Sequence, residues 1–399
     1  MTRNSRCRRW VAAIIAGLVI DLMCAAPSAG QSIQADGVVR RGQVPGTREA
    51  YLPAAARSNH AANLLALPNG DLLSFWFAGA DEGESGVSIV LSRLDRGSSQ
   101  WSQPLTLAQH PGWSDQNPVP FRAPDGRLWL FHTSQQAGKG QTTSVVYELT
   151  SEDEGHTWSA PRLLFTEPGT FIRQPLIVFH GAWLFPAYRS ASAGITINAQ
   201  NDVSIVRISR DRGKTWSTCP VPESGGLVQM NIVPIAGGRL RAFFRSRYAD
   251  WIYRSDSVDG CHWSAPVATQ LPNNNASIQA VRLQDGHLAM VFNNAQAGAR
   301  REKPRTAARR VLSIALSLDD GKTWPRVRDL ENDGLAPSLR PGEDAEYSYP
   351  SVAQLPNGSI AVAFTFRREA IRVMTFDEAW IRRGSTRGVF TGDRSALTP

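Results

Sequence analysis

Cysteine is scarce: 4 in 399 residues, and two of these, Cys7 and Cys24, fall in the first 30 positions. Only Cys219 and Cys261 remain beyond them. They could pair in an oxidising compartment, although nothing in the sequence places them within reach of each other. No C-x-x-C pair and no H-E-x-x-H occurs, so neither a structural nor a catalytic zinc site is expected, and no cofactor. A convincing helical period is missing before the last forty residues. Long apolar runs are missing as well, the longest being Val11–Ile20, too short to span a bilayer comfortably. Dense basic runs are confined to Arg300–Arg310, which makes nucleic acid a weak candidate partner.

What stands at the N-terminus reads as an export signal over residues 1–30. Arg3, Arg6, Arg8 and Arg9 precede the apolar run, and the small residues from Ala25 to Gly30 follow it. Arg8 and Arg9 would admit a twin-arginine signal, and Cys24 a lipid attachment, but bulky Met23 before it argues against the latter. Cleavage removes four arginines and Asp21, so the formal charge of +8 becomes +5. The expectation is a mildly basic monomer, secreted or periplasmic, with no membrane attachment after processing.

The remaining chain repeats itself. SEDEGHTW (Ser151–Trp158), SRDRGKTW (Ser209–Trp216) and SLDDGKTW (Ser317–Trp324) share one spacing; SVDGCHW (Ser257–Trp263) is one residue shorter and SRLDRGSSQW (Ser92–Trp101) two longer. In such a turn the Ser and Asp side chains can bond backbone amides, Gly supplies a positive φ, and Trp folds back onto the sheet. None of that chemistry needs a substrate, so these aspartates read as structural. A second marker, a tight turn followed by an apolar strand, occurs at Gly70, Gly126, Gly181, Gly238, Gly286 and Gly358, spaced 56, 55, 57, 48 and 72 residues. Alternating apolar segments such as Val203–Ile208 and Val311–Leu316 read as strands. Four strands per unit and six units describe an all-β, six-bladed β-propeller of four-stranded antiparallel blades over residues 38–380, with a tail at 381–399. The segment near Val38–Leu52 is expected to complete the last blade, and residues 294–309 to form a charged surface loop.

With those turns the chain resembles the sialidase (neuraminidase) superfamily, whose Asp-box or BNR-repeat propellers include glycosidases, lyases and binding proteins. The resemblance covers residues 38–380 and implies an active site at the mouth of the central channel. Counting from the six glycines, the mouth positions hold His60, Gln116, Asn117, Arg173, Gln174, Gln229, Asn231, Gln279 and Tyr349 at strand starts. Trp76, His132, Arg189, Arg245, Arg247, Asn293 and Arg367 fall at strand ends. So many polar residues at one end of a ring argue for a polar pocket.

Sialidases surround a substrate carboxylate with three arginines and use a Tyr nucleophile paired with a Glu, together with an Asp acid/base. A guanidinium fork matches a carboxylate, and a base on the phenol lets it attack beside an anion. By offset, Tyr349 falls on the nucleophile, Arg245 and Arg310 on carboxylate-binding arginines, and Asp81 on the acid/base. Arg173 and Arg247 are further pocket candidates. Two positions depart: His60 replaces an Arg, and Gln229 replaces the Glu, leaving Glu346 as an alternative base. Asn275, in PNNNAS, is a candidate for sugar hydroxyls and also begins an N-glycosylation sequon, Asn275-Ala276-Ser277. The resemblance implies an exo-glycosidase acting on a glycan with an acidic sugar. Two alternatives follow from the same residues: a uronate lyase or rhamnosidase-type hydrolase using His60, or a glycan-binding propeller without chemistry.

Overall fold

The computed structural model describes residues 33–190, 201–298, 304–332 and 346–384. The export signal at 1–30 and the tail from 385 onward lie outside the described residues. Six antiparallel sheets form the fold, and in the first five the strands follow sequence order from inside to outside. Blade 1 is Ser58–Ala66, Leu72–Gly79, Ser88–Leu94 and Leu105–Ala108. Blade 2 is Trp113–Arg122, Leu128–Gln136, Val145–Ser151 and Arg162–Phe165. In blade 3 the inner strand is split into Thr170–Ile172 and Ile177–Phe179, ahead of Ala182–Arg189, Val203–Ser209 and Ser217–Pro220. Blade 4 runs Leu227–Ile235, Arg239–Ser246, Trp251–Ser257 and Val267–Pro272; blade 5 runs Gln279–Arg282, Leu288–Asn293, Leu312–Ser317 and Arg326–Glu331.

Blade 6 takes Tyr347–Gln354, Ile360–Phe366 and Ala370–Phe376 from the end of the chain and Arg48–Tyr51 from its start, with Arg40–Arg41 beyond. Pairing of Arg48 with Thr375 and of Tyr51 with Arg372 closes the ring, as the sequence near Val38–Leu52 leads one to expect. Closure leaves only short outer edges unpaired. A short helix, Glu378–Arg382, capped by the Asp377 side chain on the Trp380 amide, then buries Trp380 and Ile381 against blade 5 and blade 6 residues.

Apolar side chains between neighbouring blades hold the ring together. Phe243, Leu288 and Trp324 pack between blades 4 and 5; Phe131, Trp183 and Phe185 pack between blades 2 and 3. The boxed turns are the staples the sequence suggests. In the first of them Asp153 accepts from the Ser151 hydroxyl (2.8 Å) and from the Thr157 amide (2.9 Å), and the Trp158 indole N–H donates to the Gly155 carbonyl (3.1 Å). The bonds to the aspartate recur around Asp211 and Asp319, and in shortened form around Asp259, and the indole bond recurs at Trp216 and Trp263. The SRLDRGSSQW segment departs from the pattern: its Ser92 hydroxyl donates to the Ser102 carbonyl (2.7 Å) instead of an in-turn aspartate. Asp95 stands three residues after Ser92, one more than in the other turns. Cys219 and Cys261 are disulfide-bonded, with Cα atoms 5.1 Å apart, joining the outer strand of blade 3 to the boxed turn of blade 4.

A backbone feature positions the site. The inner strands of blades 1, 2, 4 and 6 each carry a register shift, between His60 and Asn63, Gln116 and Val119, Val228 and Asn231, and Ser348 and Ser351. Inside each lies a non-glycine residue in the left-handed region: Ala61 (φ 60°), Asn117 (48°), Gln229 (52°) and Tyr349 (50°). A bulge of this kind re-aims a side chain that would otherwise alternate across the pleat. Left-handed backbone at a non-glycine residue costs on the order of 1–3 kcal/mol and persists only where its surroundings hold it. Four blades bear that cost at one level of the ring.

Candidate active site at the channel mouth

Tyr349 sits at the centre of this level, 8% exposed. Its hydroxyl accepts a 2.6 Å hydrogen bond from Arg245 Nη1. The guanidinium carbons of Arg309, Arg245 and Arg173 lie 5.3, 5.6 and 5.7 Å from its ring centroid. Burial pushes the phenol's pKa up, but the Arg245 and Arg309 charges pull it down and prevail, so it lies below the usual tyrosine range.

Each arginine is held differently. Arg245 is held by Asn275 Oδ1 on its Nε (2.9 Å) and by Gln229 Oε1 on Nη1 (3.2 Å). Gln229 thus serves as an acceptor for Arg245, and being neutral it leaves the guanidinium's charge uncompensated. Burial lowers the Arg245 pKa. Arg173, in the break of the blade 3 inner strand, donates Nη2 to the carbonyls of Ala62, Tyr349 and Pro350, at 3.0, 3.0 and 3.1 Å. It therefore braces blade 3 to blades 1 and 6 across the channel. Its Nε and Nη1 are buried with no hydrogen-bond partner among the described residues, and burial pushes its pKa down to about 10. Arg309 bonds Glu346 Oε1 (2.5 Å) and is the member of the Arg309–Arg310 pair that covers the Tyr349 ring. The sequence offset points to Arg310; residues 304–311 are not a strand, so no alternation fixes which of the two turns inward.

Glu346 does not reach the phenol as a base. It accepts from Arg309, from Arg368 Nε (2.8 Å) and from the Ser348 hydroxyl (2.6 Å). Burial would raise its pKa, but the Arg309 and Arg368 guanidiniums hold it well below the ordinary carboxylate range. His60 is wholly buried, with its ring centroid 4.3 Å from that of Tyr349. Nδ1 lies 2.8 Å from the Thr365 hydroxyl and Nε2 3.4 Å from Arg368 Nη2. Arginine is only a donor, so Nε2 faces it as the acceptor and Nδ1 carries the proton. Burial, then Arg368, drives the His60 pKa well below its usual value, and the imidazole is neutral.

The remaining candidates fall around this centre. Asp81 is exposed at the rim and pairs with Arg57 (2.8 Å), while its neighbour Glu82 pairs with Arg368 (2.9 Å) and so latches the loop to the Glu346 network. Arg247 is turned away into a buried pair with Asp202 (2.8 Å) and a bond to Gln141 Oε1 (3.0 Å). Asn117 is buried, with Oδ1 unpartnered among the described residues. Asn275 is also buried: besides Arg245 it donates Nδ2 to the Arg305 carbonyl (2.9 Å). The sequon asparagine is therefore sealed in the folded protein, and its role is to orient Arg245. Residues 304–309, within the segment expected as a charged surface loop, run against the mouth: the Arg305 amide bonds the Arg247 carbonyl (3.0 Å) and the Ala307 amide the Asn274 carbonyl (3.2 Å). Sequence reasoning missed Arg368 and Asp202, whose partners are distant in the chain.

Among the described residues, the side-chain sets with a spacing fit for a metal ion lie away from Tyr349, at His110, Asp115 and His132 and at Asp285, His287 and Glu378.

Ring, bulges and polar mouth together define a sialidase-type six-bladed propeller. The sequence matches the family described as BNR repeat-like domain over residues 70–362, and the chain belongs to that family. None of the curated proteins matches it. Among solved structures it resembles the intramolecular trans-sialidase from Ruminococcus gnavus in complex with oseltamivir carboxylate. That likeness has a TM-score of 0.67 at 14% identity, covering 84% of this chain and 98% of that one. The leech intramolecular trans-sialidase with 2,7-anhydro-Neu5Ac also gives 0.67 at 14% identity, over 89% of this chain and 71% of that one. A protein of unknown function from Dyadobacter fermentans gives 0.64 at 17% identity, over 83% and 99%. Likeness at such identities establishes the fold alone.

Proposed function

We propose that this protein is an exported glycosidase of the sialidase type that cleaves the bond at a terminal acidic sugar, sialic acid or a close relative. One observation carries this reading: three guanidiniums surround a tyrosine at the channel mouth, and among the described residues a single carboxylate, Glu346, contacts one of them. Such a site attracts an anion. Arg245 and Arg309 are the contacts for a sugar carboxylate, and buried Arg173 adds its charge from beneath the ring.

In this mechanism Tyr349 Oη attacks the anomeric carbon as the glycosidic bond breaks, and Asp81 protonates the departing oxygen. Water then displaces the tyrosine from the sugar, with Asp81 taking the proton back. Gln229 cannot act as a base, so the phenol loses its proton to solvent ahead of attack, favoured by Arg245 and Arg309. Secretion through the signal at residues 1–30 agrees with the Cys219–Cys261 disulfide, which persists in an oxidising compartment. The lyase alternative needs His60 to move a proton on substrate, and a wholly buried imidazole behind Tyr349 and Arg368 is poorly placed for that.

The test is product analysis with the purified protein on sialyllactose and on a uronate-terminated oligosaccharide. Free sialic acid from the wild type, abolished in Tyr349→Phe, is expected. An unsaturated uronate absorbing in the ultraviolet, or no product from either substrate, would overturn the reading.

A further inference from the structure

On the mouth side of blade 2, away from Tyr349, a second cluster of chemically capable side chains has no part in the reaction above. Asp115 lies on the blade's inner strand, His132 on its second strand, and His110 in the link from blade 1. Asp115 and His132 are fully buried, while the His110 side chain is 24% exposed.

Asp115 is a carboxylate removed from water, and its ion-pair partners among the described residues are the two imidazoles alone. Among the described residues no arginine or lysine supplies the counter-charge that a buried carboxylate requires. His132 is similarly unsatisfied. Its Nδ1, the nitrogen that faces Asp115, makes only a 3.4 Å hydrogen-bond contact with the Thr133 carbonyl among the described residues. Asp115 Oδ1 is 3.7 Å from His132 Nδ1 and 2.9 Å from His110 Nδ1. A gap of 3.7 Å is too long for a hydrogen bond. Two atoms bound to one zinc-sized ion at about 2.0–2.2 Å each lie no more than about 4.2 Å apart, so both separations fit a shared ion. All three ligand atoms lie within 4.8 Å of one another.

The surroundings suit the same reading. The His110 backbone N–H donates to Asp115 Oδ2 (3.0 Å) and the His110 Nδ1 lies 2.9 Å from both carboxylate oxygens, which fixes the carboxylate against the blade 1–2 link. The Tyr147 ring packs against both histidines, its centroid 4.3 Å from that of His110 and 5.5 Å from that of His132, and walls the cluster on one side. His110 opens the other side to solvent, giving an entry route and room for a water ligand. The Asp285–His287–Glu378 set has no such need, because Arg382 already pairs with Glu378 (2.5 Å) and approaches Asp285 (3.8 Å).

We propose that His110, Asp115 and His132 form a binding site for one first-row transition-metal dication of the zinc type, held by two imidazole nitrogens and one carboxylate oxygen. The site ties the blade 1–2 link to blade 2. It also lies beside the loop that carries Asp81 and Glu82: the Gly83 amide bonds the Ser114 hydroxyl, and the Asp115 amide bonds the Val87 carbonyl, both at 3.2 Å. Its role is to brace that corner of the mouth, and it stands independently of the glycosidase reading.

Zinc chloride alone, titrated calorimetrically into the tag-free, EDTA-treated full chain, tests this. One equivalent should bind, raise the thermal midpoint and be released by EDTA. Cobalt should give visible absorption bands of a site of low coordination number. His110→Ala, in a partly exposed link where folding is not at stake, and Asp115→Asn should both lose the zinc heat and the thermal shift, and His287→Ala should retain them. The absence of stoichiometric binding to the wild type would overturn the proposal, as would undiminished binding by His110→Ala or loss of binding in His287→Ala.

Discussion

Replacing Arg245 by lysine keeps the positive charge at the mouth and removes the planar fork. The structure gives the magnitude. Arg245 makes three hydrogen bonds, to Asn275, Gln229 and the Tyr349 hydroxyl. A lysine ammonium is a single nitrogen on a shorter reach and cannot hold the two amide acceptors while also presenting donors to a ligand. Loss of one charge-assisted bond to a substrate carboxylate costs about 1.5–3 kcal/mol, which is about 10- to 150-fold in affinity. The assay is kcat/KM for sialyllactose, with calorimetric binding of free sialic acid and of a neutral sugar, on protein shown by circular dichroism to be folded. The acidic ligand should lose affinity by that factor and the neutral one should change little. Equal losses for both would make Arg245 a framework residue and refute the reasoning.

Two further predictions concern stability. His60 has a folded pKa well below its unfolded value of about 6.5; its contribution is therefore complete above pH 6.5 and is lost as pH falls, because the unfolded chain takes up a proton that the folded one refuses. Urea unfolding at pH 7 and 5.5 should show a slope of up to about 1.4 kcal/mol per pH unit from this group, missing in His60→Gln; identical slopes would place the imidazole in contact with water. Replacing both Cys219 and Cys261 by serine should destabilise the fold by about 2–4 kcal/mol, since the bridge closes a 42-residue separation. An unchanged unfolding midpoint under oxidising conditions would contradict that contribution.

The fold was legible because its markers are local. Four boxed turns close on themselves through Ser, Asp and Gly, and six glycine turns recur along the chain, so six units could be counted without any knowledge of their packing. Part of the site was legible for the same reason: Ala61, Asn117, Gln229 and Tyr349 each stand nine residues ahead of their blade's turn glycine, and all four carry the left-handed bulge. That shared offset marks the mouth level in the sequence. What was not legible is pairing across the ring. Whether Arg309 or Arg310 faces Tyr349 depends on an irregular segment with no alternation. That Glu346 serves Arg309 and Arg368 instead of the phenol, and that Asp202 neutralises Arg247, depends on partners tens of residues away. Likewise His110, Asp115 and His132 show no motif spacing, because three separate segments bring them together.

The central claim is that the mouth is built for a carboxylate. Its most direct test is calorimetric binding of sialic acid and of its methyl ester, which differ by that one charge, to the Tyr349→Phe protein at neutral pH. The account predicts that the acid binds and that the ester binds at least tenfold more weakly, with the difference reduced in an Arg309→Ala background. Equal affinity for acid and ester would contradict it.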